Sequence, residues 1–349
     1  MTALRDLAEL VRAPAALSVP GDVAAGAAAG HALGPRTLGL ACSSVCLYWA
    51  GMAANDWADR HLDAAERPER PIPSGRVRPG TALGVAAGLT AAGLTIAGLT
   101  GGRRALAVAV PLAGAIWAYD LAAKNTRAGP LVMAVCRGLD VLLGAAPGLS
   151  PQGRTPPGHR ARGSTRPRDL AGGGGPAPTR PACGSSVAAA LPAALTVAAH
   201  TYLLTGLSLG ETSGTTRHRP AATLAGTVAL AATTAFRRTE HDPEVAAFRR
   251  TERDPEAATG FRRTERDLEA AAARAVLASW YASQFGTTQA RAVADPSPQR
   301  VRDAVTAGIV SLPALQGALV ARAGAPRLGL ALAAMVPLAR RLARKLSPT

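Results

Sequence analysis

Residues 79–102 read PGTALGVAAGLTAAGLTIAGLTGG, a run without Asp, Glu, Lys or Arg, bounded by Arg78 on one side and by Arg103 and Arg104 on the other. About 20 consecutive apolar residues wound into a helix cross the hydrocarbon core of a bilayer, and this run is long enough to do so. Residues 181–210 form a second charge-free run. Working outward from these two, the pattern predicts spans at 14–33, 37–55, 80–101, 104–121, 128–147, 186–207, 220–236, 304–322 and 326–342. A further apolar stretch, Ala270–Phe285, carries Arg274 and is either a tenth span or a helix lying at the interface. The expected fold class is all-α, a polytopic membrane helix bundle of about nine transmembrane helices in a single membrane domain over 1–349.

Composition agrees with that reading. Apolar residues make up 48% of the chain but aromatics only 3%, and many of the apolar positions are Ala or Gly, which let membrane helices approach closely. The overall hydropathy is only slightly positive because two polar insertions dilute the spans. Residues 148–185 are rich in Pro and Gly and bury too little apolar surface to offset ordering entropy, so a disordered loop insertion is expected. Residues 236–269 are a charged tandem-repeat insertion, in which Phe236-Arg-Arg-Thr-Glu recurs at Phe248 and Phe261. Copies this short and charged make a solvated linker rather than a stacked repeat.

A net charge of +16, with 39 Lys and Arg, would suit nucleic acid. The Arg residues flank apolar spans, however, and lack interleaved aromatics, so no nucleic-acid partner is expected. Arg60, Arg67, Arg70, Arg76 and Arg78 after the second span, Lys124 and Arg127 after the fourth, and Arg217 and Arg219 after the sixth place those loops in the cytoplasm by the positive-inside rule. The basic tail fits ten spans better than nine. The expected location is a cell membrane, multi-pass, with the site facing the cytoplasm. Cys42, Cys46, Cys136 and Cys183 form no metal-binding spacing and no disulfide framework, and no cleavable signal peptide is expected.

At the cytoplasmic end of the second span stands Asn55-Asp56-Trp57-Ala58-Asp59-Arg60-His61-Leu62-Asp63. Steps of three and four residues put Asp56, Asp59 and Asp63 on one helix face, where they repel one another unless a cation intervenes. Mg²⁺ takes oxygen ligands and commonly bridges carboxylates to substrate phosphates. Arg67 and Arg70, in the Pro-rich loop that follows, supply guanidinium groups for phosphate. Within the fifth span Arg137 and Asp140 are three residues apart. Intramembrane charges are paired or functional, and a structural ion pair and the polar wall of a cavity are both open. Asp22 in the first span is a further cavity-lining candidate.

The segment Asn55–Gly75 resembles the first aspartate-rich motif of the UbiA superfamily of membrane prenyltransferases, N-D-x-x-D-x-x-x-D followed by R-P-x-P-x-G, and every position of that pattern is present. The resemblance implies a helical bundle around a cavity, with Mg²⁺ bridging two aspartate-rich motifs and a prenyl tail in an apolar tunnel. Asp56, Asp59 and Asp63 would hold metal, and Asn55, Arg67 and Arg70 would bind the diphosphate. Tyr119-Asp120-x-x-x-Lys124 resembles the family's Tyr…Lys element, in which Lys contacts the diphosphate, with a spacing here one residue longer. Trp57, Trp117 and Tyr119 could stabilise an allylic cation through their ring faces.

The family's second aspartate motif is missing. In its place stands His200-Thr-Tyr-Leu-Leu-Thr-Gly-Leu-Ser-Leu-Gly-Glu211, which resembles an actinobacterial EboC-like branch. That resemblance implies Glu211 as a metal ligand and His200 as the group that orients or deprotonates an acceptor; Arg137 and Asp140, if they form the cavity wall rather than an ion pair, would bind substrate. The implied activity is Mg²⁺-dependent transfer of a prenyl group from an isoprenoid diphosphate to a membrane-accessible acceptor. Aromatic rings, sugars and lipid head groups all remain open as acceptors. The alternative is a non-catalytic membrane protein that binds prenyl diphosphate without turnover. A transporter would need paired broken helices, and a CDP-alcohol phosphotransferase would need an Asp-Gly…Ala-Arg arrangement; neither pattern is present.

Overall fold

A computed structural model describes residues 4–12, 18–147, 185–236 and 257–335, and every regular element among them is helical. In chain order these are α1 (Leu4–Leu10), α2 (Val19–Ala29), α3 (Pro35–Ala58), α4 (Arg60–Glu66), α5 (Pro79–Ala118), a π-helical turn (Tyr119–Ala123) and α6 (Gly129–Ala145). There follow α7 (Ser185–Ser208), α8 (His218–Ala235), α9 (Ala257–Ala294), α10 (Pro298–Arg322) and α11 (Pro326–Met335).

The opening run becomes the first arm of α5. Residues 79–123 are continuous helix over 45 residues, which if straight would reach roughly 68 Å, more than twice the bilayer core. They double back instead. Gly102 adopts φ 67°, ψ −156° inside the helix, a left-handed backbone that a residue with a Cβ rarely enters. Trp117 Nε1 then donates to Thr90 Oγ1 at 3.1 Å across the fold, so the two arms run antiparallel as the two spans at 80–101 and 104–121 predicted. Both arms pack on α3.

The remaining helices alternate in the same way. Gly30, just past α2, lies between Ala145 at the end of α6 and Ser186 at the start of α7, which closes α6 and α7 into an antiparallel pair. Small residues bring backbones together at α2 and α6: a Cβ on Gly26 would fall 1.6 Å from the Val141 carbonyl oxygen, and one on Gly144 would fall 2.0 Å from that of Val23. With no hydrophobic drive between helices in lipid, such close packing supplies the association energy. One core gathers Leu40, Leu47, Leu112, Ile116 and Leu143 from α3, α5 and α6; another gathers Leu207, Tyr281, Phe285, Leu315 and Val320 from α7, α9 and α10.

Four of the helices, Pro35–Ala58, Pro79–Ala123, Ser186–Ser208 and Pro298–Arg322, are long and apolar enough to cross a bilayer among the described residues. The others that were expected to span are shorter, more polar or cut by the limits of description. Ala270–Phe285, left open between a span and an interfacial helix, is part of α9, which packs against α8 and α10 and buries Leu277, Tyr281 and Phe285. Of the expected insertions, 148–184 and 237–256 lie outside the described residues. Residues 257–269, expected as linker, form the first turns of α9, with Asp267, Leu268 and Glu269 exposed. Helix α1 was not foreseen.

Candidate active site at the acidic mouth

The acidic motif straddles a break between two helices. Helix α3 ends at Ala58, Asp59 sits at the junction with φ −85° and ψ 2°, and α4 restarts at Arg60. The break divides the three carboxylates. Asp56 and Asp63 converge on one guanidinium: Arg70 Nη1 lies 2.6 Å from Asp63 Oδ2 and 3.5 Å from Asp56 Oδ1. Asp59 turns instead to Lys124, whose Nζ lies 2.6 Å from Asp59 Oδ2. Asp56 and Asp63 are buried, so each ionised group needs a partner to offset its lost hydration.

Two features of this mouth escaped the sequence reading. Arg12, two residues beyond α1, places Nη2 2.7 Å from Asp56 Oδ1. It holds a positive φ of 45°, unusual for a residue with a Cβ. Helix α1 is docked for this: Leu10 is fully buried among Ala53, Ala54, Ile72 and Val77, and Arg76 bridges Asp6 and Glu9 at 2.8 Å each. Arg76 lowers the Glu9 pKa below its ordinary value. No local motif marks Arg12, and α1 is too short to show apolar periodicity.

The second feature is Asp120. The π-helical turn Tyr119–Ala123 closes with Lys124 N–H donating to the Tyr119 carbonyl at 2.9 Å. A π-turn absorbs one extra residue in a helix and recurs at functional sites. It accounts for the long Tyr…Lys spacing, since Lys124 still meets Asp59. The turn also buries the Asp120 carboxylate, whose Oδ1 accepts from Asn55 Nδ2 at 3.2 Å. Asp120 lines a cavity between α3, the end of α5 and α6, together with Tyr48, Gly51, Met52, Ile116, Tyr119, Met133 and Cys136. A Cβ on Gly51 would stand 2.8 Å from Asp120 Oδ2 and 2.5 Å from Ile116 Cγ2, so glycine there lets the carboxylate pack directly against α3.

The remaining expected residues are distributed elsewhere. Arg67 caps α4 and is exposed. Tyr119 lines the cavity, but the Trp57 ring is covered by the Arg60 guanidinium at 4.7 Å and the Trp117 indole is tied to Thr90. Arg137 pairs with Asp22 across α6 and α2, Nε to Oδ2 at 2.8 Å, while Asp140 accepts from Ser44 Oγ; the two do not pair with each other. Gln316 donates to Asp22 Oδ1 at 2.7 Å, so this network knots α2, α3, α6 and α10. His200 is wholly buried in the second core, with Nδ1 2.9 Å from the Tyr281 hydroxyl. Glu211 lies in the loop after α7, at the same end of the bundle as the acidic mouth by helix alternation. Its backbone carbonyl accepts from Arg302 at 2.7 Å. Partial burial raises its carboxyl pKa, and among the described residues no hydrogen bond or ion pair joins it to Asp56, Asp59 or Asp63.

Asp56, Asp59 and Asp63 offer hard carboxylate oxygens, the donor type that Mg²⁺ takes, with Asp56 and Asp63 turned to Arg70 and Asp59 to Lys124. No three acidic or His side chains converge at metal distance among the described residues; Arg12, Arg70 and Lys124 pair with the three carboxylates instead. Cations placed this way are a store of positive charge for an anionic ligand.

The sequence pattern of the UbiA prenyltransferase family matches residues 17–153. The chain is 36% identical to digeranylgeranylglyceryl phosphate synthase of Methanopyrus kandleri over 156 residues, 43% of this chain and 55% of that one. It is 34% identical to the bacteriochlorophyll synthase 33 kDa chain of Rhodobacter capsulatus over 88 residues, 25% of this chain and 29% of that one. The matched stretches thus span about half of the first of these curated relatives and under a third of the second. A UbiA homolog from Aeropyrum pernix, solved without ligand, superposes with a TM-score of 0.55 at 16% identity, covering 88% of this chain and 96% of that one. A structure described with digeranylgeranylglyceryl phosphate synthase in membranes gives 0.54 at 15% identity, covering 94% and 100%. At those identities the likeness is one of fold.

Proposed function

From the match of residues 17–153 to the UbiA prenyltransferase family, we propose that this protein is an integral membrane prenyltransferase that takes a prenyl group from an isoprenoid diphosphate. One observation carries the reading: Asp56 and Asp63 pair with Arg12 and Arg70, Asp59 pairs with Lys124, and Asn55, next to Asp56, reaches Asp120 in the lining of a small cavity with Tyr48, Met52, Ile116 and Met133. A ligand with an anionic head and an apolar tail matches both halves of that arrangement.

Asp56, Asp59 and Asp63 would hold Mg²⁺, which when bound supplies neutralisation of the diphosphate charge. Arg70, Lys124 and Arg12 turn from the carboxylates to the phosphate oxygens, where guanidinium and ammonium donors make charge-assisted hydrogen bonds. They thereby stabilise the charge that builds on the departing pyrophosphate. Asn55 orients the floor of the mouth through Asp120, and Tyr119 and Met133 keep water from the allylic carbon. The Arg-rich loops on this side support a mouth that faces the cytoplasm in a cell membrane. Glu211 and His200 belong to the other half of the bundle and would meet the substrate only from across the cavity.

The test is incubation of purified protein in nanodiscs with labelled prenyl diphosphates, Mg²⁺ and a total lipid extract, followed by identification of the labelled product. Mg²⁺-dependent release of pyrophosphate is expected. Tight binding of prenyl diphosphate with no release would identify a non-catalytic binder instead.

A further inference from the structure

We propose that Asp120 is the general base of the reaction, taking the proton of an uncharged hydroxyl acceptor through its Oδ2 atom. The inference rests on the prenyl-transfer reading and deepens it by naming the class of acceptor.

The geometry begins with position. Asn55 neighbours Asp56, which lies at the diphosphate mouth, and Asn55 Nδ2 fastens Asp120 Oδ1. Lys124, one π-turn further along, is at the mouth as well. Asp120 therefore sits about one helical turn, roughly 5 Å, inside the mouth. The allylic carbon is one bond from the diphosphate, so attack on it takes place at that depth. Asp120 is also the one acidic residue among those that line the cavity.

Its two oxygens differ. Oδ1 is held by Asn55, whereas Oδ2 makes no hydrogen bond or ion pair among the described residues. Gly51 has no Cβ, so Oδ2 rests directly against α3 beside the cavity. The other acidic groups of the mouth are engaged: Asp56 with Arg12 and Arg70, Asp63 with Arg70, and Asp59 with Lys124. Asp120 alone among them lines the cavity, and among the described residues it forms no ion pair, although Lys124 and Arg12 act on it at longer range.

The step balances. The bond between C1 and the bridging diphosphate oxygen breaks, and its electron pair leaves with pyrophosphate. The acceptor oxygen forms its bond to C1, and the acceptor's proton passes to Asp120 Oδ2. A carboxylate acceptor has no proton to give and would be repelled by Asp120; the proposal commits to a neutral hydroxyl, whose proton lies on the attacking atom itself. Water is its smallest member.

Positional isotope exchange separates the two halves of this step. A prenyl diphosphate labelled with ¹⁸O at the C1 bridge scrambles its label whenever the C1–O bond breaks and re-forms, without any acceptor. Net pyrophosphate release counts completed transfer to hydroxyl acceptors, water included. In Asp120→Asn, exchange is expected within about threefold of wild type, while net release falls on the order of 100-fold, the share a general base supplies. Thermal stabilisation of the protein by inorganic pyrophosphate with Mg²⁺ is expected to be unchanged in the variant. Should the variant not accumulate as folded protein, Asp120→Glu tests the same point, since a carboxylate displaced by one methylene lowers net release relative to exchange.

Equal loss of exchange and release would make Asp120 a diphosphate residue and overturn the proposal. Unchanged release would overturn it too, as would an alkali-labile ester linkage in the labelled product. Absence of exchange in the wild type would instead remove the prenyl-transfer reading beneath it.

Discussion

Arg12 and Asp56, 44 positions apart in the chain, meet with guanidinium and carboxylate 2.7 Å apart. Arg12 lies before the region that matches the family pattern, just past a short helix that nothing in the sequence flagged. Its contact nevertheless reaches the first acidic residue of the motif. Asp56 is thereby held between two guanidinium groups, one from the N-terminal segment and one from the Pro-rich loop. The consequences can be measured.

Removing Arg12 should weaken substrate capture more than turnover. A charge-assisted hydrogen bond contributes about 1.5–3 kcal/mol, and the lower figure suits a side chain that is partly exposed. Since 1.36 kcal/mol is tenfold, Arg12→Ala is expected to raise KM for the prenyl diphosphate about tenfold, with kcat changed by a few-fold. Arg12→Lys should recover part of the loss. An unchanged KM would mean that Arg12 stays on Asp56 when substrate binds.

Asp56→Ala and Asp63→Ala are each expected to abolish Mg²⁺-dependent pyrophosphate release. Each also removes one of the two carboxylates that Arg70 contacts, so the variants need a folding check by size-exclusion chromatography. Chelation of Mg²⁺ by EDTA should stop the wild type reversibly. Retained turnover in either variant would take the metal role away from that residue.

The Asp22–Arg137 pair is structural in its packing. Both side chains are buried, and removing one partner of a buried pair costs about 3–5 kcal/mol. Arg137→Met should therefore lower the thermal unfolding temperature by several degrees, and adding Asp22→Asn should restore part of it. If Arg137→Met instead left stability intact and raised KM, the pair would belong to the substrate cavity.

The docking of α1 should depend on pH. Arg76 depresses the Glu9 pKa below its ordinary 4.5, so the contact contributes stability that is present above that value and lost as the pH falls through the depressed one. Hydrogen exchange of residues 4–10 should accelerate below about pH 4.5. Glu9→Gln should show part of the same acceleration at neutral pH. Exchange that is indifferent to acid would show that Leu10 burial alone holds the helix.

The acidic mouth was legible because its spacing is local: residues three and four apart on a helix share a face whatever the rest of the chain does. Even so, the break at Asp59 turned one of the three toward Lys124. The long Tyr…Lys spacing was visible as an irregularity, but only the π-turn explains how Lys124 keeps its contact and why Asp120 is swung into the cavity. His200, Arg137 and Asp140 stood out as polar groups in apolar runs. Nothing in the runs could say that they close core networks away from the mouth.

By itself, then, the chain's pattern determined that helices of bilayer length form, that two of them meet near Gly102, and that carboxylates cluster at one end of the second span. Those are properties of runs and periods, set by neighbours within a few turns. Which cation answers each carboxylate, that Arg12 arrives from a separate helix, and that Asn55 reaches Asp120 across 65 positions were decided by tertiary structure alone. Such contacts depend on which helix ends share one mouth, and that follows from close packing at small residues such as Gly26, Gly51 and Gly144 rather than from any local sequence signal.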